Sequence, residues 1–259
     1  MSTRVAIVTG AASGIGRAAV ERFVAAGGSV VAVDRDADHL DWVGAHDEPS
    51  RIATVVGDVT SEATNAAAVV TALERFGRLD AAVFNAGVAM SGDLIGLSLD
   101  DFDRSIDVNV RAVVLGIRAV APTMREQRAG RIVVTASTSG IAADPNMWAY
   151  NAAKGAAINL VRAAAIDLGP AGITVNAVCP GPTETSMTSR IQSVPEVYES
   201  LREVIPLQRW GTPDEVAAVI EFLSSPDASF VNGAVVPVDG GITASTGQFR
   251  PRPSDDVRG

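Results

Sequence analysis

Seven short, uncharged runs of β-branched and small apolar residues, separated by longer Ala-rich stretches of helical periodicity, constrain this chain more than any other feature. The runs lie at residues 5–9, 29–33, 52–57, 81–85, 132–136, 174–178 and 235–238. A strand with one wet face alternates apolar and polar residues, whereas a continuous apolar run suits a strand covered on both faces. Between the runs, helical periodicity covers 15–26, 62–76, 101–124, 148–168 and 213–223. Plausible caps precede two of these segments: Ser61 before Glu62, and Thr212-Pro213 with Asp214 and Glu215 in the first turn. Strands that alternate with helices imply right-handed crossovers and a parallel sheet. The expectation is an α/β fold, a doubly wound parallel sheet of about seven strands with helices on both faces, in a single domain over 1–245. Residues 246–259, with two prolines and mixed charge, read as a tail, loose or docked on a partner.

Composition narrows the function. The chain has 259 residues, is 47% hydrophobic and carries a formal net charge of −9, which supports a full core and argues against a nucleic-acid partner, since phosphate binding needs a basic face. No apolar run reaches the roughly 20 residues of a membrane span, and the start is too short in apolar residues for a secretory leader. One cysteine excludes an internal disulfide and a Cys-based zinc site, no metal is expected, and the cytoplasm is the default location. With only two histidines, both in the polar stretch 34–50, another group must move protons.

Residues 9–16, Thr-Gly-Ala-Ala-Ser-Gly-Ile-Gly, follow a strand candidate and open a helix candidate. Such a glycine turn lets backbone approach a pyrophosphate, and the helix N-terminus offers free N–H groups. Gly10, Ser13, Gly14, Ile15 and Gly16 are therefore candidate dinucleotide-binding residues. Asp34 ends the second strand candidate 18 residues after Gly16, near the spacing of a ribose-binding carboxylate. A carboxylate there accepts from both ribose hydroxyls of NAD and repels the 2′-phosphate of NADP, so NAD is the expected cofactor. Arg17 and Arg35 are the charges that would argue otherwise.

Of the 21 basic residues only Lys154 is a lysine, and it lies four residues after Tyr150, one of two tyrosines. Spacing i,i+4 puts phenol and ammonium on one helix face. A free tyrosine, with a pKa of about 10, is a poor base near neutrality, and a nearby cation favours the phenolate. Lys154, with a cationic nicotinamide, is expected to lower the Tyr150 pKa.

Together these residues resemble the short-chain dehydrogenase/reductase family over nearly all of residues 4–244. The matching features are the turn at 9–16, Asp58-Val59, Asn85-Ala86-Gly87, Asn109, Ser137, Tyr150-x-x-x-Lys154, Pro180-Gly181, the segment 209–215 and 238–241. The resemblance implies a Rossmann-type fold and a catalytic tetrad of Asn109, Ser137, Tyr150 and Lys154. Tyr150 would be the general acid or base, Ser137 would hydrogen-bond the substrate oxygen, and Lys154 would hold the nicotinamide ribose. Asn109 would fix a helix irregularity and a water leading protons from Lys154 to solvent. It further implies that Asp58 and Val59 contact adenine, that Asn85, Ala86 and Gly87 line the adenosine side, and that Thr183 and Thr185, after Pro180 and Gly181, hold the carboxamide and phosphate region. Ser139 rivals Ser137, and the family's spacing of about 13 residues before the tyrosine favours Ser137. Phe84 and Ala112 depart from the family pattern as packing variants. Cys179 reads as a buried small hydrophobe, and Asp144 and Glu184 as solvated loop charges.

Segments 88–97, 141–149 and a lid at 183–207 should line an apolar pocket for a secondary alcohol or ketone, with Arg190 a solvated lid charge. The small residues of 149–168 suit either burial within the chain or a helix interface, and the family implies a homotetramer. The leading expectation is an NAD-dependent oxidoreductase that moves a hydride between a secondary alcohol or ketone and nicotinamide. Two rivals are an NADPH-dependent 3-oxoacyl thioester reductase and a non-catalytic dinucleotide-binding protein.

Overall fold

A computed structural model describes residues 4–246, so the tail expected at 246–259 lies, from 247 on, outside the described residues. The seven apolar runs all form strands: β1 (Val5–Thr9), β2 (Ser29–Asp34), β3 (Ile52–Val56), β4 (Ala81–Phe84), β5 (Gly130–Thr135), β6 (Ile173–Pro180) and β7 (Val235–Val238). They make one wholly parallel sheet in the order β3-β2-β1-β4-β5-β6-β7. Alternate residues divide the core in two. Val5 and Ile7 of β1 pack on the face covered by α2 (Glu62–Phe76), α4 (Ala112–Gln127) and α5 (Trp148–Leu168). Ala6 and Val8 face the opposite side, covered by α1 (Gly14–Ala25) and α8 (Pro213–Leu223). Helices on both faces explain why the strand runs carry no polar alternation.

Local chemistry sets several boundaries. Gly77, at φ 77°, ends α2 in the left-handed region that glycine tolerates. At α8, the Thr212 hydroxyl accepts from the Glu215 N–H and Glu215 accepts from the Thr212 N–H, a reciprocal cap with Pro213 in the first turn.

Two regions refine the sequence reading. The helix expected over 101–124 is α3 (Leu99–Ile106) and α4 joined by a π-helical turn, Asp107–Arg111, which is the helix irregularity that the family resemblance implied at Asn109. The stretch 183–207, read as a lid of unassigned structure, holds the short α6 (Ser189–Gln192) and α7 (Pro195–Val204). The switch in strand order lies between β1 and β4, where β1 is followed by the glycine turn and β4 by Asn85. The crevice at such a switch point is where open parallel sheets bind ligands.

Candidate active site

The glycine turn after β1 is built by close backbone approach. Gly10 and Gly14 have φ of 67° and 53°. A Cβ at Gly10 would lie 2.9 Å from the Ala86 Cα, and one at Gly16 would overlap the Gly10 carbonyl. Asn85 clamps the turn: its Nδ2 donates to the Thr9 and Gly10 carbonyls at 3.2 and 3.4 Å. The Thr9 hydroxyl accepts from the Asn85 and Ala86 N–H groups at 3.0 and 3.1 Å. The N-terminus of α1 has no side-chain cap at Ser13, so the N–H groups of its first turn, which have no intrahelical partner, are left for a ligand. This cradle fits a dinucleotide pyrophosphate.

Asp34 stands beside the turn. One carboxylate oxygen accepts from the Ala12 N–H at 3.0 Å, and the other from the Arg35 N–H at 2.8 Å and the Asp36 N–H at 3.3 Å. Of the two arginines that would argue for NADP, Arg17 is engaged elsewhere. Arg17 pairs with Glu21 at 2.9 Å and lies over the Trp42 ring, 4.8 Å from its centroid, and the Arg35 charge acts on Asp58. The Asp58 carboxyl is held below the ordinary carboxylate range, first by the Thr60 N–H and then by the Thr60 hydroxyl. Val59 lines a small cavity with Thr9, Asn65, Phe84 and Ala86.

On the other side of the switch point, β5 leads into Ser137, and α5 carries Tyr150 and Lys154. Lys154 is buried, donates to the Thr135 carbonyl at 2.9 Å, and has its Nζ 5.6 Å from the centre of the Tyr150 ring. Burial lowers its pKa from 10.5 to about 8. The Tyr150 pKa is raised, not lowered: burial of the phenol outweighs the Ser137 hydroxyl, which pulls it down, while Asp144 and Cys179 push it further up. The expected Tyr–Lys proximity is therefore present, but in the protein by itself desolvation raises the Tyr150 pKa where Lys154 was expected to lower it.

Asn109 is buried in the π turn. Its Nδ2 donates to the Val88 and Ser105 carbonyls at 2.9 and 3.0 Å, and its Oδ1 accepts from the Val88 N–H at 3.2 Å. Gly87 lies between Asn109 and Lys154; a Cβ there would be 2.8 Å from the Asn109 Oδ1 and 3.4 Å from the Lys154 Nζ. Gly87 thus belongs with the tetrad residues, whereas Asn85 and Ala86 border the glycine turn.

Further residues fall as follows. Pro180 ends β6, and Gly181 packs against Asp239. Thr183 is buried and donates to the Gly181 carbonyl at 2.9 Å. Thr185 approaches Gly14, and the Ser186 hydroxyl meets that of Ser13 at 3.1 Å, so the base of the 183–207 segment rests on the glycine turn. Trp148, read as a pocket wall, is pinned to Phe102 by stacking and to the Asp93 carbonyl by its indole N–H. Cys179 is buried, its thiol pushed up to about 11 by desolvation.

Two carboxylates read as solvated loop charges have partners. Glu184 accepts from the Tyr198 hydroxyl at 3.2 Å, and Tyr198 stacks on the buried Trp210. Asp144 accepts from the Ser139 hydroxyl, which in turn accepts from Ser137 at 3.1 Å. Sequence set Ser139 against Ser137 as alternatives; in the fold they are joined.

Comparison with known proteins decides the family. Residues 10–243 match the family described as "Enoyl-(Acyl carrier protein) reductase". The chain is 41% identical over 245 residues to "Meso-2,3-butanediol dehydrogenase" of Serratia marcescens, covering 95% of this chain and 96% of that protein. It belongs to the short-chain dehydrogenase/reductase family. Among solved structures it is similar to levodione reductase, with a TM-score of 0.89 and 38% identity over 95% of this chain and 100% of that one. It is also similar to 3-ketoacyl-(acyl-carrier-protein) reductase from Brucella melitensis complexed with NADH, with a TM-score of 0.85 and 36% identity over 93% of this chain and 98% of that one. As a member of this family the protein is an oxidoreductase that uses a nicotinamide cofactor. Among the described residues no helix is long and apolar enough to cross a membrane.

Proposed function

We propose that the protein is an NAD-dependent dehydrogenase of small secondary alcohols, acting in reverse as a ketone reductase, with Asn109, Ser137, Tyr150 and Lys154 as its reaction centre. The observation that carries this reading is the meeting of Ser137, Tyr150 and Lys154 beside Gly87, across β4 from the glycine turn after β1, with Asp34 one strand further on at the end of β2. The bound nicotinamide supplies the hydride acceptor or donor. Tyr150 takes the hydroxyl proton of the alcohol or returns it to the ketone, and Ser137 hydrogen-bonds the same substrate oxygen. Lys154 holds the ribose and adds a cation beside the phenol. Asn109 holds the π turn and segment 87–88, which keeps Gly87 against Lys154.

Gly10, Ser13, Gly14, Ile15 and Gly16 cradle the pyrophosphate. Asp58 and Val59 border the adenine, and Pro180, Gly181, Thr183 and Thr185 border the nicotinamide half. Asp34 selects NAD, because its carboxylate is oriented by three N–H groups while Arg17 is already engaged with Glu21 and Trp42. Residues 183–207 act as the substrate lid. The homotetramer forms through α5, whose Ala149, Ala153 and Ala157 are buried against this chain's own core while Ala152, Ala156, Ala163 and Ile166 remain exposed. The cytoplasm is the compartment that suits a chain with one buried cysteine.

Calorimetric titration with NAD⁺ and NADP⁺, together with NADH formation from a panel of secondary alcohols that includes 2,3-butanediol, tests the proposal. Tighter NAD⁺ binding and turnover of a small alcohol are expected. Tighter NADP⁺ binding with reduction of acetoacetyl thioesters would favour the 3-oxoacyl reductase instead, and cofactor binding without turnover of any substrate would favour a non-catalytic role.

A further inference from the structure

Ser139 is left short of a donor when a substrate occupies the site. A carboxylate only accepts, so the hydrogen bond between Ser139 and Asp144 commits the Ser139 proton to Asp144. The Ser139 oxygen is then an acceptor, and in the protein by itself the Ser137 hydroxyl, 3.1 Å away, donates to it. Ser137 has only one proton to give. The substrate oxygen gathers charge as its own proton leaves and needs that hydrogen bond, so the Ser137 hydroxyl turns from Ser139 to the substrate. Ser139 is buried, and a buried acceptor that loses its donor weakens binding unless another donor replaces it. Its neighbours are committed. The Thr138 hydroxyl donates to the Pro180 carbonyl at 3.3 Å, and the Ser139 N–H donates to the Ser137 oxygen at 3.1 Å. Asp144 is held in place from α5, where the Asn151 side chain donates to its carbonyl at 2.9 Å and accepts from its N–H at 3.4 Å.

We propose that the missing donor is a second hydroxyl of the substrate, on the carbon next to the reacting carbinol. The substrates are then vicinal diols and, in the reverse direction, α-hydroxyketones. This inference rests on the proposed alcohol oxidation with Ser137 on the reacting oxygen, and it names the alcohol class. The spacing fits. Hydroxyls on adjacent carbons in a staggered gauche arrangement stand about 3 Å apart, and the Ser137 and Ser139 oxygens stand 3.1 Å apart. The two substrate oxygens therefore lie side by side against the two serines, the first accepting from Ser137 and the second donating to Ser139. Oxidation removes a hydride and a proton from the first carbinol and leaves the second hydroxyl intact, so the α-hydroxyketone product keeps its donor. Ser139 touches the substrate and sets specificity. Asp144, which acts by keeping the Ser139 proton occupied, is a positioning residue.

The experiment compares kcat/KM with NAD⁺ for 2,3-butanediol, 2-butanol and 3-methoxy-2-butanol, which keeps the second oxygen but carries no proton on it. Wild type should prefer the diol to both by roughly 10- to 100-fold, the effect of one unpaired buried acceptor. In Ser139→Ala that acceptor is gone, and the advantage of the diol should shrink to a few-fold. In Asp144→Ala the Ser139 proton is released and can be given to an ether oxygen, so 3-methoxy-2-butanol should gain on the diol by about 10-fold. Asp144→Asn, whose side-chain carbonyl still accepts from Ser139, should restore the wild-type order. Loss of structure alone produces no gain on one substrate. A wild type that uses the ether as well as the diol, or a diol advantage that survives Ser139→Ala, overturns the inference.

Should the wild type oxidise no alcohol, the proposed function fails but the diol site is still read by binding. The protein saturated with the dinucleotide it binds more tightly is titrated with the same three alcohols, followed by saturation-transfer NMR. A diol bound about 10-fold more tightly than 2-butanol and the ether sustains the inference without the dehydrogenase; a diol bound no more tightly than they are overturns it.

Discussion

The glycine turn after β1 and the cluster after β5 sit on either side of the sheet's switch point and hold their groups by different means. The turn works through backbone: left-handed glycines, carbonyls clamped by Asn85, and a helix N-terminus without a side-chain cap. Its one charged contributor, Asp34, is itself oriented by main-chain N–H groups. The cluster works through side chains: a buried ammonium on a carbonyl, a half-buried phenol, and linked serines. The turn fails when space is lost, whereas the cluster fails when a proton or charge is lost. Substitutions should therefore separate into losses of cofactor affinity and losses of kcat.

After Tyr150 itself, the largest effect is expected at Lys154. Lys154→Met should lower kcat by about 100-fold or more and, at the same time, make the fold more stable near neutrality. The sign follows from the buried ammonium. Its pKa of about 8 in the folded protein lies below the ordinary 10.5, so between those values the unfolded chain binds the extra proton and wild-type stability rises with pH through that window. Below it the buried charge costs roughly 3 kcal/mol, offset in part by the bond to Thr135, worth about 1 kcal/mol. Urea unfolding should show the variant ahead by about 2 kcal/mol at pH 7 and its advantage shrinking from pH 8 to 10.5. A variant destabilised at pH 7 would break the contrast, by making Lys154 a scaffold residue.

Gly16→Ala sharpens it from the other side. The added methyl overlaps the Gly10 carbonyl, so the turn must open. NAD⁺ affinity should fall by roughly 100-fold in calorimetry, about the loss of two hydrogen bonds to charged groups. At saturating cofactor kcat should stay near wild type; if kcat fell instead, the two halves would not be separable.

Asp34→Ala is expected to be milder, because it removes one carboxylate from a cradle that is otherwise main chain. NAD⁺ affinity should drop about 10-fold and NADP⁺ affinity rise, as one charge-assisted contact and one repulsion disappear. Fluorescence titration of both dinucleotides reads this, and an unchanged ratio would remove Asp34 from cofactor choice. The smallest effect belongs to Thr212→Ala, which deletes the α8 cap away from both regions. Stability should fall by about 1 kcal/mol with NAD⁺ affinity and kcat unchanged, showing that lost stability alone does not imitate either class.

Much of this was legible in the sequence, for physical reasons that also mark where legibility stops. Strands buried on both faces must be uncharged, so the five inner strands stood out, the part-exposed edge strands β3 and β7 showed through their β-branched runs, and the spacing of Tyr150 and Lys154 on one helix turn put them together. Hydrophobic periodicity cannot register the extra residue of a π turn, so α3 and α4 read as one helix although Asn109, a polar residue in its middle, marked the place. In 183–207, Pro195 at the first turn of α7 was a start signal that the surrounding polar residues obscured. The direction of the Tyr150 shift depended on how deeply the phenol is buried, which spacing does not carry. Asp144 seemed a solvated charge because its partner Ser139 is five residues away across a 3₁₀ turn and an irregular loop, beyond any helical rule.

The central claim is that Tyr150 exchanges the proton of the substrate while the glycine turn independently holds the cofactor. Tyr150→Phe tests it most directly, with NADH formation from the best alcohol substrate and NAD⁺ calorimetry run on the same preparation. The account predicts turnover reduced by about 1000-fold with NAD⁺ affinity unchanged. Turnover within a few-fold of wild type would contradict it.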